Sequence, residues 1–218
     1  MSMPFYVSPE QLMKDRAEFA RKGIARGRPV LVLSCADGIL LLAENPSESL
    51  HKIAEIYDRI GFAAVGKFNE FEGLRQAGIR YADLRGYAYD RSDVTARGLA
   101  NAYAQTLAGV FTTEQKPYEV ELVVAELGDT PVHDRLFRLS FDGSISHESG
   151  HVALGEGAET ISRTLGDTDL AELGLDDALT AGLTAMGLTD RPASAREVAL
   201  LDRGSSSTRT FRRLEAHA

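Results

Sequence analysis

A β-hairpin with no polar face constrains this chain more than any other feature. Pro29 to Ala36 and Ile39 to Ala43 are two β-rich runs joined by Asp37-Gly38, a dipeptide suited to the backbone angles of a tight hairpin turn. A strand with one wetted face alternates apolar and polar side chains. These runs are apolar at nearly every position, so both of their faces need covering. The hairpin therefore belongs to an inner layer, with further structure stacked on either side. The 218 residues fit a single domain, since a split would leave two small cores.

The rest of the chain supplies those layers. Ser8-Pro9-Glu10-Gln11 reads as a helix start: Ser8 caps, Pro9 suits the first helical position and Glu10 complements the dipole. That helix continues through Leu12, Lys14, Arg16, Phe19 and Lys22 and stops at Gly23 or Gly27. Lys52 to Tyr57 and Ile60 to Val65 read as two more strands, and Asn69 to Ala82 and Val94 to Phe111 as helices. Val120 to Leu127 and Arg135 to Phe141 alternate like paired strands, with a turn at Asp142-Gly143 and a short strand over His151 to Leu154. Gly157 to Leu165 and Asp176 to Met186 are helical, and Glu197 to Leu201 closes the pattern as a strand. Strands, two helices, strands, two helices and a strand suit an α+β sandwich in which two sheets pack face to face beneath outer helices. Residues 204–218 are expected to be a polar, disordered tail, and residues 1–8 a loose arm before the folded unit at 9–203.

Charge excludes some partners. The 32 acidic residues exceed the 24 Lys and Arg, giving −8. That balance opposes non-specific nucleic-acid binding, which needs a basic surface, and it repels an anionic membrane face. The lone Cys35 sits in an apolar run, as befits a buried reduced thiol in a cytoplasmic protein. No apolar stretch approaches a membrane span, and the opening residues do not read as a signal peptide.

Two motifs suggest chemistry. His147-Glu148-Ser149-Gly150-His151 matches the H-E-x-x-H pattern of zinc peptidases, which requires both imidazoles one turn apart on a helix. Gly143 and Gly150, with strand-like flanks, argue for a surface loop instead. Gly155-Glu156-Gly157 lies between a strand and a helix, but Thr160 stands where a dinucleotide fingerprint needs its third glycine, so a tight turn is expected. A hydrolase acting alone, through zinc at HESGH or an N-terminal nucleophile, is the rival functional reading.

Longer stretches carry a resemblance. Phe19-Ala20-Arg21-Lys22-Gly23 with the following hairpin, Ser49-Leu50-His51-Lys52-Ile53 through Gly61-Phe62-Ala63-Ala64-Val65-Gly66, and Lys116-Pro117-Tyr118-Glu119-Val120-Glu121-Leu122 resemble α-type subunits of the 20S proteasome. Ser8-Pro9-Glu10-Gln11, Ala43-Glu44-Asn45-Pro46-Ser47, Gly66-Lys67-Phe68-Asn69-Glu70-Phe71 and Arg85-Gly86-Tyr87-Ala88-Tyr89-Asp90-Arg91 are closest to the actinobacterial branch. The resemblance runs from about residue 3 to about residue 203. It implies a four-layer αββα sandwich of the N-terminal-nucleophile hydrolase type, with an extra N-terminal helix.

The resemblance also implies roles. Catalytic β-type members cut peptides with an N-terminal Thr whose own amine is the base. That threonine would fall near Arg28, its acidic partner at Glu44 and its lysine at Lys52. The first threonine here is Thr95, and 27 residues precede Arg28, so a non-catalytic subunit without cofactors is implied. The helix from Pro9 would pack against neighbours in a seven-membered ring of this chain. Met3, Phe5, Tyr6, Val7, Ser8 and Pro9 would gate the axial pore, the apolar residues burying one another. Lys52 would dock the C-terminal carboxylate of an ATPase or other activator. The other implied partner is a ring of catalytic β-type subunits. In the actinobacterial branch, the ATPase route handles substrates tagged with a ubiquitin-like protein. One departure stands out: α-type subunits commonly follow Ser-Pro with Asp-Gly, whereas Glu10-Gln11 follows here.

Overall fold

The computed structural model describes residues 8–166 and 168–214. Strand β1 (Val30–Cys35) pairs antiparallel with β2 (Gly38–Glu44), so the opening hairpin forms as expected. Its turn is centred one residue early, on Ala36-Asp37, and Gly38 already pairs with Cys35. The Asp37 carboxylate accepts from Leu175 N at 2.7 Å and its carbonyl from Arg203 N at 2.9 Å, which fixes this residue at the turn apex. Gly38 is required there: its φ is +153°, and a Cβ would lie 2.0 Å from the Leu201 carbonyl oxygen.

The remaining strands are β3 (Ile53–Tyr57), β4 (Ile60–Gly66), β5 (Val120–Glu126), β6 (Arg135–Leu139), β7 (Ile145–Glu148), β8 (His151–Leu154), β9 (Arg196–Asp202) and β10 (Phe211–Arg213). They form two five-stranded antiparallel sheets, ordered β10-β9-β2-β1-β8 and β3-β4-β5-β6-β7. The helices are α1 (Pro9–Ala25), α2 (Phe68–Ala88), α3 (Ala96–Thr113), α4 (Ala158–Leu165) and α5 (Leu175–Ala185).

The period of two along the hairpin sorts its side chains between layers. Val30, Val32, Ile39, Leu41 and Ala43 face the other sheet, where Ile53, Ala63, Val65, Val123 and Ala125 meet them. Leu31, Leu33, Leu40 and Leu42 face outward and are buried under α4 and α5 through Ile161, Leu165 and Ala178. On the opposite side, Phe62, Ala64, Leu122 and Val124 are buried under α2 and α3 through Phe71, Leu74, Leu99 and Leu107. The order helix, sheet, sheet, helix is the four-layer sandwich that the sequence implied.

Each end of the inter-sheet core is closed differently. Ala20 and Ile24 of α1 enter it from one end, with Ala17 against them. At the other, buried Asp134 accepts from Ser34 Oγ at 2.5 Å, Gly128 N at 2.8 Å and the Arg203 guanidinium at 2.9 and 3.0 Å. These groups come from both sheets, so one carboxylate pins them together.

Two expectations are corrected here. Residues 204–214 are not a structureless tail: the chain turns back and β10 pairs with β9, Phe211 opposite Leu201 and Arg213 opposite Ala199. The polar composition reflects the connecting turn, while Phe211 is buried in the inter-sheet core. HESGH is not a loop throughout either, because residues 145–148 form β7, an edge strand that the polar sequence disguises.

Candidate functional site

The site forms where β1 begins and β2 ends. Pairing of Val30 with Ala43 brings Arg28 and Glu44 to the same end of the hairpin, with Glu44 N bonded to Pro29 O at 3.0 Å. From there the chain crosses to the other sheet through Asn45–His51. Asn45 shapes that crossing: its Oδ1 accepts from Ser47 N at 3.1 Å and its Nδ2 donates to Leu50 O at 2.6 Å. Lys52 follows at the threshold of β3, its carbonyl accepting from Ala64 N at 3.0 Å.

Three positions far apart in sequence thereby converge. Lys52 Nζ donates to Arg28 O at 2.7 Å, and Arg28 Nη1 lies 3.6 Å from Glu44 Oε1. Lys52 is half-buried. Burial pushes its pKa down from 10.5 to about 8; the Arg28 guanidinium adds to this, and Glu44 and Glu197 oppose it.

Glu197 is the residue that sequence reasoning missed. Only 7% exposed, it accepts from Asn45 Nδ2 at 2.8 Å, Lys52 N at 2.9 Å and Ile53 N at 3.3 Å. Arg213 of β10 pairs with it at 2.7 Å and also donates to Ile53 O at 2.8 Å; His51 Nδ1 lies 3.3 Å away. One carboxylate therefore ties the crossing, the start of β3 and the last strand together. The signal was available, since Glu197 is an acid opening an otherwise apolar strand.

The chemistry open to this cluster is limited. Arg28 is an internal residue with no hydroxyl, and α1, whose Ile24 lies in the core, leads directly into it. The position offers neither a hydroxyl nucleophile nor a free α-amine to activate one. What remains is a half-buried ammonium on a carbonyl, well placed to receive a carboxylate.

Of the gate residues, Ser8 and Pro9 are described. Ser8 Oγ accepts from Gln11 N at 3.2 Å and Pro9 is the first helical residue, as expected. Met3, Phe5, Tyr6 and Val7 lie outside the described residues.

The HESGH residues are not arranged for zinc. His147 on β7 pairs opposite Phe137 with the rings 5.4 Å apart, whereas His151 on β8 pairs opposite Leu33 in the other sheet. Gly150, at φ +77°, turns the chain between them, so the helical i, i+4 arrangement does not form. Both histidines line a cavity of about 480 Å³ with Ser34 and Asp134. That is not a nucleophile–base set, because His151 shares the outward face with Leu33 while the Ser34 hydroxyl, on the next residue of β1, is spent on Asp134. Gly155 and Gly157, at φ +84° and +71°, make the tight strand-to-helix turn that was expected.

Comparison with known proteins matches this architecture. The sequence model of the family described as "Proteasome subunit" matches residues 24–198. A protein of Xylanimonas cellulosilytica named proteasome subunit alpha is 62% identical over 231 residues, covering 100% of this chain and 94% of the relative. Proteins of the same name from Paenarthrobacter aurescens and Kineococcus radiotolerans are 62% and 61% identical, covering 98% of this chain and 92% and 94% of their own lengths. The two-sheet sandwich, its N-terminal helix and these matches along the whole chain lead to one assignment: the chain belongs to the proteasome family, among the α-type subunits of its actinobacterial branch.

Proposed function

We propose that this chain is a non-catalytic ring subunit of a 20S proteasome, and that it gates substrate entry and docks activators at Lys52. The observation that carries this reading is the Arg28–Glu44–Lys52 cluster. Glu44 and Lys52 stand where the resemblance puts the acid and the lysine of the family's active centre, and they meet at an arginine that has no hydroxyl to attack a peptide bond. In this reading seven copies form each outer ring, stacked on a ring of catalytic β-type subunits in the cytoplasm. The arm of Met3, Phe5, Tyr6, Val7, Ser8 and Pro9 crosses the axial pore, and no cofactor is needed.

Docking follows from the ammonium. An activator's terminal carboxylate approaching Lys52 finds a cation whose hydration is already partly stripped, so the ion pair forms at reduced desolvation cost. Arg28, half exposed beside Glu44, supplies a second cation. Glu197 positions Lys52 by fixing its backbone amide.

Substituting Lys52→Ala tests the assignment in particles assembled with a β-type subunit. Activator stimulation of protein degradation is expected to fall at least about tenfold, the worth of one charge-assisted bond. Assembly and hydrolysis of very short peptides should stay unchanged. Full stimulation in the variant would remove Lys52 from the docking site.

A further inference from the structure

Lys52 belongs to one sheet by its backbone and reaches the other by its side chain. It stands at the threshold of β3, the edge strand of the sheet ordered β3-β4-β5-β6-β7, while its Nζ donates to Arg28 O, just before β1 of the other sheet. An ammonium so placed keeps its position only if this end of β3 is held against the other sheet.

An edge strand has a neighbouring strand on one side only. The Lys52 carbonyl accepts from Ala64 N of β4 at 3.0 Å, so alternation turns the N–H and C=O of Ile53 away from β4, toward the open edge. Ile53 is fully buried, and unpaired backbone groups there would be costly. Two side chains meet them instead. Glu197 Oε1 accepts from Ile53 N at 3.3 Å, Arg213 Nη2 donates to Ile53 O at 2.8 Å, and Arg213 Nη1 pairs with that same Glu197 oxygen at 2.7 Å. The ion pair offers Ile53 one acceptor and one donor, as the backbone of an adjoining strand would. The other Glu197 oxygen accepts from Lys52 N at 2.9 Å.

We propose that Arg213 is a positioning residue for Lys52: paired with Glu197, it takes the place of the strand missing beside β3 and clamps the start of β3 to the other sheet. Glu197 comes from β9 and Arg213 from β10, both of the sheet that also carries β1. The residues around Arg213 are attached elsewhere. Arg209 pairs with Glu55 at 2.8 and 3.0 Å and Thr210 Oγ1 donates to Asp58 O at 2.9 Å, both farther along β3 and its turn. Arg212 turns back to Asp202 of β9 at 2.8 Å. Of this segment's described residues, Arg213 is the one that reaches Ile53, next to Lys52.

The functional consequence rests on the docking role proposed above. Without the Arg213 guanidinium, Ile53 O loses its donor and Glu197 its arginine, so the start of β3 can move away from β1. An activator's carboxylate then meets an ammonium that is present but displaced. Affinity falls, while the response at saturation remains.

The experiment assembles Arg213→Ala and Arg212→Ala chains with a β-type subunit, beside the unmodified chain and Lys52→Ala. Amide hydrogen exchange at Lys52 and Ile53, followed by mass spectrometry, reads the clamp without any activator. In Arg213→Ala both amides are expected to exchange at least about tenfold faster, and the activator concentration for half-maximal stimulation to rise about tenfold with the maximum kept. Arg212→Ala should change neither. If Arg213→Ala gives no particle, the same comparison is made with Arg213→Gln, which keeps a donor but not the charge. Unchanged exchange in the Arg213 variant, or an equal effect of Arg212→Ala, overturns the proposal and leaves the docking role standing. So does faster exchange with unaltered activator affinity while Lys52→Ala loses stimulation. Full stimulation in Lys52→Ala would instead overturn the docking role, and faster exchange in the Arg213 variant would still leave the clamp standing.

Discussion

At Lys52 the geometry sets a pH dependence whose sign can be worked out. Its pKa in the free chain is about 8, and a docked carboxylate favours the ammonium and raises that value. Docking therefore takes up a proton above pH 8, and activator affinity should fall toward tenfold per pH unit there while staying level below pH 7. Titrating a carboxylate-ended activator peptide against the assembled particle by calorimetry checks this; a flat profile to pH 9.5 would refute it. Stability of the free chain responds oppositely. Between pH 8 and 10.5 the unfolded chain still holds the proton that the folded chain has released, so this group adds stability as pH rises through that window. Asp134 offers a stability test away from the site. Asp134→Ala leaves Arg203, whose side chain is 13% exposed, without its carboxylate and frees the Ser34 hydroxyl in the core. A loss of about 3–5 kcal/mol in denaturant unfolding is expected. At this scale the sequence was legible where a residue acts on its own neighbours, as at the Ser8 cap. At Glu197 it showed only an acid opening an apolar strand and at Asp134 nothing at all, and in neither case the partners, which include Lys52 and Ser34, 145 and 100 residues away.

Among the elements, local signals fared best where one element decides its own fate. The Ser8-Pro9 start of α1 and the apolar hairpin are intrinsic to short stretches, and both formed as read. Helix α2 runs to Ala88, six residues beyond the expected Ala82, because its last turns are exposed and carry no apolar stripe to count. Strands β7 and β10 escaped notice for a related reason. Each is short, polar and at a sheet edge, so its pairing comes from a neighbour's free hydrogen-bonding groups rather than from its own pattern. Helices α2 and α3 meet at a point that admits no side chain: a Cβ on Gly78 would lie 1.8 Å from the Tyr103 hydroxyl. Gly78→Ala should therefore lower stability, by about 1–3 kcal/mol in thermal or denaturant unfolding, although alanine is the better helix former. The arm preceding α1 gives a functional test at the same scale. Removing residues 1–8 should accelerate casein degradation by the assembled particle severalfold while changing tripeptide hydrolysis little, since only large substrates need the pore cleared. Unchanged casein turnover would refute a gate.

For the molecule as a whole, the apolar surface left uncovered argues for an assembly. Leu12, Met13 and Phe19 are 38–50% exposed along α1, and Leu84, Tyr87 and Tyr89 are 70–93% exposed near the end of α2. Exposed apolar residues clustered on a helix are the kind of surface through which chains associate. They suit one surface for copies of itself and another for a different ring. Interfaces between unlike faces of identical chains close into a ring when the rotation between neighbours divides a full turn. Co-expression with a β-type subunit followed by native mass spectrometry is expected to give particles containing both chains in equal multiples of seven. If the α1 patch is the one that meets another copy, as the proposed ring requires, replacing Phe19 with Asp places a charge in it and should shift this chain to monomer without unfolding it, because the side chain is already half in solvent. Replacing Tyr87 with Asp should instead leave rings of this chain intact and reduce capture of the β-type subunit. A free monomer from the unmodified pair would mean that these patches serve something other than ring assembly.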